Sequence, residues 1–193
     1  MYEFFTGDIV EKTPTYIVLE TGNIGYNINI SLYTYSLLPG QNPCQIFIHQ
    51  IIREDAHILF GFINREEREV FRQLISVSGV GANTARLILS SLGPGEIEQA
   101  INEGNVAILQ GIKGIGAKSA QRIIVDLKGK ITTRGEFNQL FPEQSNTLRD
   151  EALSALVNLG FSRKTVEKVL DQILKGEDEL SVELLIKEAL KKL

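Results

Sequence analysis

The chain has 193 residues, 43% hydrophobic and 23% charged, with a net charge of −4 and a pI near 5.3, which allows one large domain or two to three small ones. A single cysteine, Cys44, rules out a disulfide framework, and His49 and His57 are too few beside it for a Cys/His zinc site. No apolar run approaches a membrane span and the N-terminus lacks the basic-then-apolar layout of a signal peptide, so a cytoplasmic protein without membrane association is expected.

Residues 1–64 carry 2 Lys/Arg against 6 Asp/Glu and read as β. Tyr16-Ile17-Val18-Leu19-Glu20 and Tyr26-Asn27-Ile28-Asn29-Ile30 are rich in β-branched and aromatic residues, and Thr21-Gly22-Asn23 between them is turn chemistry. Residues 45–52 and 57–62 are two further strands. Five or so short strands with Gly, Pro and Asn punctuation predict a small barrel, of which the oligonucleotide-binding (OB) type is one topology. Between the last two strands, Arg53-Glu54-Asp55-Ala56 sets two carboxylates side by side at a hairpin tip. Three readings stay open there. They are a solvated turn, a metal-nuclease pair that lacks obvious further ligands, or, on a DNA-binding protein, charges that repel phosphates and push DNA strands apart.

From Arg65 the apolar period becomes helical, with Val70, Phe71, Leu74 and Ile75 behind the charged Arg65-Glu66-Glu67-Arg68-Glu69. Helical runs follow at about 83–91, 95–102, 105–110 and 117–128. Within this region one design occurs twice. Val77-Ser78-Gly79-Val80-Gly81-Ala82-Asn83-Thr84-Ala85 recurs 35 residues later as Ile112-Lys113-Gly114-Ile115-Gly116-Ala117-Lys118-Ser119-Ala120. Each copy is a Gly-aliphatic-Gly turn that opens a helix, where bare N–H groups and the helix dipole suit a phosphate. Gly79, Gly81, Gly114 and Gly116 would give close backbone approach, and Val80 and Ile115 would tuck between the flanking helices. Asn83 in the first copy, and Lys118, Ser119 and Arg122 in the second, would add side-chain contacts. A single copy is as well explained by a packing corner. Two copies favour DNA binding, with recognition by shape, because phosphate contacts carry no base information. The charge agrees, since residues 65–133 carry 9 Lys/Arg against 7 Asp/Glu despite the acidity of the whole. The stretch Gly111 to Ser119 nearly matches a nucleotide-binding P-loop, but Ala117 separates the last glycine from Lys118 and no strand precedes it. No ATP site and no catalytic or metal-ligating set is expected in this chain.

Residues 134–146 lose periodicity and read as a linker. The tail from Thr147 has three amphipathic stretches, with Ala152, Leu153, Leu156 and Val157 in the first. Val166, Val169, Leu170 and Ile173 lie in the second, and Leu184, Leu185, Ala189 and Leu190 in the third. Leu159-Gly160-Phe161 ends the first helix, and Ser162 caps the next. So small a bundle leaves apolar surface for a partner, and the Leu159-Gly160-Phe161 turn reads either as core packing or as an exposed partner-binding loop.

In this order, these features resemble the RuvA family of Holliday-junction recognition subunits over the whole chain. The resemblance rests on Gly25-Tyr26, Ile52-Arg53-Glu54-Asp55-Ala56, Leu59-Phe60-Gly61-Phe62, the two Gly-x-Gly turns, Leu159-Gly160-Phe161 and Leu185-Ile186-Lys187-Glu188-Ala189-Leu190. It implies an α+β multidomain chain. An N-terminal OB-fold barrel would span 1–64, an all-α tandem helix-hairpin-helix domain 65–133, a flexible linker 134–146, and a three-helix, UBA-like bundle 147–193. It further implies a homotetramer, single or in a stacked pair, on an open four-way junction during DNA recombination and SOS-linked repair. Glu54 and Asp55 would form an acidic pin at the crossover, and the hairpins would clamp duplex arms from the minor-groove side. The bundle would bind the hexameric RuvB ATPase, with Leu156, Leu159, Gly160 and Phe161 as the candidate contacts; RuvB itself binds ATP and magnesium, and RuvC, the resolvase, would be a further partner. Asn83 stands where many members carry Lys, which implies a weaker first clamp. The rival readings are a metal-dependent junction nuclease built on Glu54 and Asp55, and a general duplex-binding scaffold.

Overall fold

In the computed structural model, which describes residues 1–40, 42–131, 147–174 and 181–193, alternating inward apolar residues carry the first stretch of the chain into a barrel. The strands are β1 (Phe4–Lys12), β2 (Tyr16–Thr21), β3 (Ile24–Ile30), β4 (Cys44–Ile52) and β5 (His57–Phe62), with α1 (Leu32–Leu37) between β3 and β4. Their order is β1-β2-β3-β5-β4, closed by antiparallel pairing of β4 with β1, while β3 and β5 run parallel. This is the OB-fold arrangement. Ile17, Leu19, Ile28, Ile30, Ile46 and Ile48 fill the interior. At Gly61 a Cβ would stand 2.5 Å from Ile28 Cγ2, so β5 crosses the barrel where only glycine fits.

Two elements carry no clear sequence signal. In β1, Gly7 and Asp8 interrupt the apolar pattern. The tyrosine-rich α1 has β propensity but is held helical by Ser31, whose Oγ accepts Thr34 N–H at 2.9 Å.

Helices α2 (Arg65–Ser76), α3 (Ala82–Ser91), α4 (Pro94–Glu103), α5 (Val106–Gln110) and α6 (Ala117–Leu127) follow. Asn64 caps α2 by accepting Glu67 N–H at 2.8 Å, and α4 starts with Pro94 and ends at Gly104 in the left-handed region. The expected boundary at 64/65 separates strands from helices but does not separate two cores. Phe60 and Phe62 of β5 pack in one cluster with Val70, Phe71 and Leu74 of α2 and with Ile88, Ile97, Ile101 and Ile123. The Phe71 ring lies 4.9 Å from that of Phe62 and 5.1 Å from that of Phe60, so Phe71→Ala should cost about 3–5 kcal/mol. Residues Met1–Thr133 accordingly form one compact unit.

Polar contacts lock the helices to the barrel. Buried Glu67 accepts hydrogen bonds from Ser31 Oγ, Thr34 Oγ1 and, at 3.4 Å, Ile63 N–H. Burial pushes its carboxyl up to about 6, against the pull of those hydrogen bonds. Buried Arg68 pairs with the Glu3 carboxylate, donates to Glu3 O at 2.8 Å and lies over the Phe47 ring. Arg86 on α3 donates to Thr15 O at 3.0 Å and Asn29 Oδ1 at 3.1 Å. The orientation of the hairpins relative to the barrel is therefore fixed by packing and by buried hydrogen bonds together.

The second unit, Arg134–Leu193, contains α7 (Thr147–Asn158), α8 (Arg163–Leu174) and α9 (Val182–Lys192). Ala152, Leu153, Leu156, Val166, Leu170, Ile173, Leu185 and Ala189 make its core. The expected linker, 134–146, lies outside the described residues. No described helix is long and apolar enough to cross a membrane.

Candidate nucleic-acid interface

The repeated sequence folds into a repeated backbone. In the first turn Val77 N–H bonds Leu74 O and Val80 N–H bonds Val77 O, at 3.1 and 3.0 Å. In the second, Ile112 N–H bonds Leu109 O and Ile115 N–H bonds Ile112 O, at 3.2 and 3.0 Å. Gly79 and Gly114 both have φ +90, a conformation that L side chains resist. Gly81 (φ −84, ψ 167) and Gly116 (φ −80, ψ 167) are the N-caps of α3 and α6. Val80 and Ile115 are buried beneath their turns, as Val77 and Ile112 are, so both loops are anchored from below.

The glycines fall into two kinds. Gly79 and Gly114 are required by the fold. Gly81 and Gly116 are not, because their backbone suits any residue and a Cβ on either would meet nothing within 4 Å. No side chain caps α3 or α6, so the first N–H groups of both helices have no side-chain acceptor. A bare backbone at a dipole-positive helix start, with open space before it, suits close approach by an external anion.

Side chains make the two copies unequal. Lys118 and Arg122 are exposed on the first turns of α6, and Ser119 is half-buried. Arg122 reaches Asp126 at 3.7 Å, a solvent-screened pair, while Lys113 and Lys118 have no ion pair among the described residues. On α3 the equivalent of Lys118 is Asn83, exposed and neutral, and the equivalent of Arg122 is Leu87. Leu87 lies beside the other turn: its Cδ2 is 4.0 Å from where a Gly114 Cβ would be.

Glu54 and Asp55 sit at the tip of the β4–β5 hairpin, which Arg53 N–H closes onto Ala56 O at 2.8 Å. Both are exposed, and neither takes part in a hydrogen bond or ion pair among the described residues. Among those residues no group of three or more His, Cys, Asp or Glu comes together that could hold a metal ion. The P-loop near-match is preceded by α5, a helix, where a P-loop requires a strand.

In the three-helix unit the candidate partner residues divide. Leu156 is fully buried in the core, so it holds the bundle together and is not available as a contact. Leu159 is 62% exposed, and Gly160 beside it has φ +100. Phe161 is half-buried against the core, its N–H bonded to Leu156 O at 3.2 Å. Leu148, Val157, Leu184 and Leu190 are exposed as well, and the sequence pattern does not single them out as contacts. Nor does it single out the locking residues Glu67, Arg68 and Arg86, for which sequence gives no cue. Leu87 did have one, its 35-residue offset from Arg122.

Three family models match the chain. They are "RuvA N terminal domain" over residues 1–61, "SAM-like Helix-hairpin-helix tandem" over 71–129 and "RuvA, C-terminal domain" over 147–193. Among curated relatives, the chain is 51% identical to a protein of Christiangramia forsetii over 193 residues and 50% identical to one of Flavobacterium psychrophilum over 193. It is 50% identical to one of Parabacteroides distasonis over 196 aligned positions. In each case the whole of both chains is covered, and each relative is named Holliday junction branch migration complex subunit RuvA.

Proposed function

The chain belongs to the RuvA family, and from that premise we propose that it binds four-way (Holliday) DNA junctions and directs a separate ATP-driven motor onto them for branch migration. The observation that carries this reading is the pair of matching Gly-x-Gly turns, open in front and held in the same compact unit as an acidic tip that makes no ion pair among the described residues. Each turn offers first-turn N–H groups to a phosphate of a duplex arm, approached from the minor-groove side. Lys118 and Arg122 add charge at the second turn. These contacts hold DNA by its shape. At the crossover, Glu54 and Asp55 face phosphates of like charge. At roughly 5 Å each such pair repels by about 1 kcal/mol in bulk water and by more where solvent is excluded. That repulsion opposes re-pairing of strands at the point of exchange.

The subunit is non-catalytic in this proposal. ATP and magnesium belong to the motor, RuvB, which docks on the C-terminal bundle around Leu159 and Phe161. A homotetramer, single or stacked in pairs, gives each arm of the junction its own clamp, RuvC acts on the same complex, and the setting is cytoplasmic recombination and repair. The test is reconstitution on a synthetic junction. The proposal expects no ATP hydrolysis by the chain alone and junction migration when the motor is added. Magnesium-dependent nicking by the chain alone, lost when Glu54 and Asp55 are replaced, would sink it in favour of a nuclease.

A further inference from the structure

The 35-residue offset pairs Asn83 with Lys118, Thr84 with Ser119 and Leu87 with Arg122. Because α3 and α6 leave their N-caps with the same backbone angles, residue 87 stands to the first turn as residue 122 stands to the second. Arg122 is a cation on the exposed face, whereas Leu87 is a leucine 41% exposed. A single exposed leucine is ordinary. Its position is not, because Leu87 follows the first turn on its own helix and touches the space above Gly114, the tip of the second. It is thus a side chain of the first hairpin that reaches the second turn.

We propose that Leu87 is a positioning residue of the duplex clamp, lying against the sugar edge of the minor groove between the two strands whose phosphates the turns hold. The proposal rests on the reading of the turns as a duplex clamp. Two loops holding phosphates on either side of a groove leave the residue between them facing that groove. The C–H surfaces of deoxyribose there accept an apolar side chain without stranding a polar group. A leucine at this site excludes water between the turns and strengthens the neighbouring N–H to phosphate bonds. It releases no counterion, so the first hairpin contributes little to the salt dependence of binding.

The experiment measures duplex and junction affinity across a salt series for wild type, L87A, L87R and K118A, with a thermal melt of each. Leu87 is exposed, so L87A should melt with wild type. It should bind about three- to tenfold more weakly with an unchanged slope of log K against log salt. L87R should steepen that slope by about 0.9, the value for one added phosphate contact on B-DNA. A purely structural role for Leu87 would not change the slope. Unchanged affinity in L87A overturns the proposal whatever L87R does, as does an unchanged slope in L87R. If K118A flattens the slope while the Leu87 variants do nothing, the Leu87 inference fails and the clamp stands. If K118A has no effect either, the clamp reading fails with it.

Discussion

Replacing Gly116 by alanine separates what the hairpin needs to fold from what it needs to bind. At φ −80 and ψ 167 alanine is unstrained, and its Cβ meets no atom within 4 Å. Reduced freedom of the unfolded chain stabilises by about 0.4–1 kcal/mol. Losing glycine at an N-cap costs a similar amount, about 0.5–1.5 kcal/mol. The two nearly cancel, and a net change within about 1 kcal/mol moves Tm by no more than about 4 °C. Gly114→Ala differs, because φ +90 strains an L residue by about 1–2 kcal/mol and should lower Tm measurably. For DNA the new methyl of G116A stands where a phosphate must approach the bare N–H groups. Losing one charge-assisted hydrogen bond costs about 1.5–3 kcal/mol, or about tenfold to a hundredfold in affinity. Circular dichroism melts and fluorescence anisotropy with a labelled junction read the two quantities. Wild-type affinity in a fully folded G116A would refute the backbone–phosphate contact. G81A should behave alike, with a smaller loss if the neutral first copy carries less of the binding.

Glu67 makes stability depend on pH. Its native pKa of about 6 lies above the ordinary 4.5, so between those values the folded state holds the extra proton. The stabilisation is fully present below about 4.5 and is lost as pH rises through about 6, a change of about 2 kcal/mol. Urea melts from pH 4 to 8 should register it, and E67Q should flatten it; an equal slope in E67Q would contradict the assignment. Replacing the tip carboxylates together (E54Q, D55N) should keep or tighten junction binding and alter migration rate without nicking, read by gel shift and a migration assay. In the bundle, Leu159→Asp should leave junction affinity unchanged and weaken motor capture by about tenfold or more, as for an exposed contact residue. Leu156→Asp should instead unfold the bundle by burying a charge, which hydrogen exchange would detect.

Most of the architecture was legible because it rests on local signals. β-branched and aromatic composition between turn residues placed β2 to β5, period 3.6 placed α2 to α6 within one or two residues, and the Gly-x-Gly repeat placed both hairpins. Other elements depend on partners distant in sequence. Helix α1 forms from a β-prone run because Ser31 caps it and Glu67, 36 residues on, binds Ser31 and Thr34. The residue pattern changes at 64/65, where strands give way to helices. Phe60 and Phe62 nevertheless pack on Phe71 across it, and no one-dimensional pattern reports that. Leu156 and Leu159 lie three residues apart on a short amphipathic segment, and only the packing of α8 and α9 decides that the first is core and the second exposed. At the hairpins, sequence identified the glycines but not their division into those the fold requires and those it leaves open. That division needs φ angles and the empty space in front of each turn.

Competition between a four-way junction and linear duplex of equal length and sequence, at one fixed salt concentration, tests the central claim most directly. Salt must be held constant because phosphate contacts make every affinity depend on it. The account predicts that unlabelled linear duplex fails to displace a labelled junction at concentrations where unlabelled junction displaces it fully. Equal displacement by the two would mean that the paired turns hold duplex wherever they meet it, and the junction assignment would be wrong.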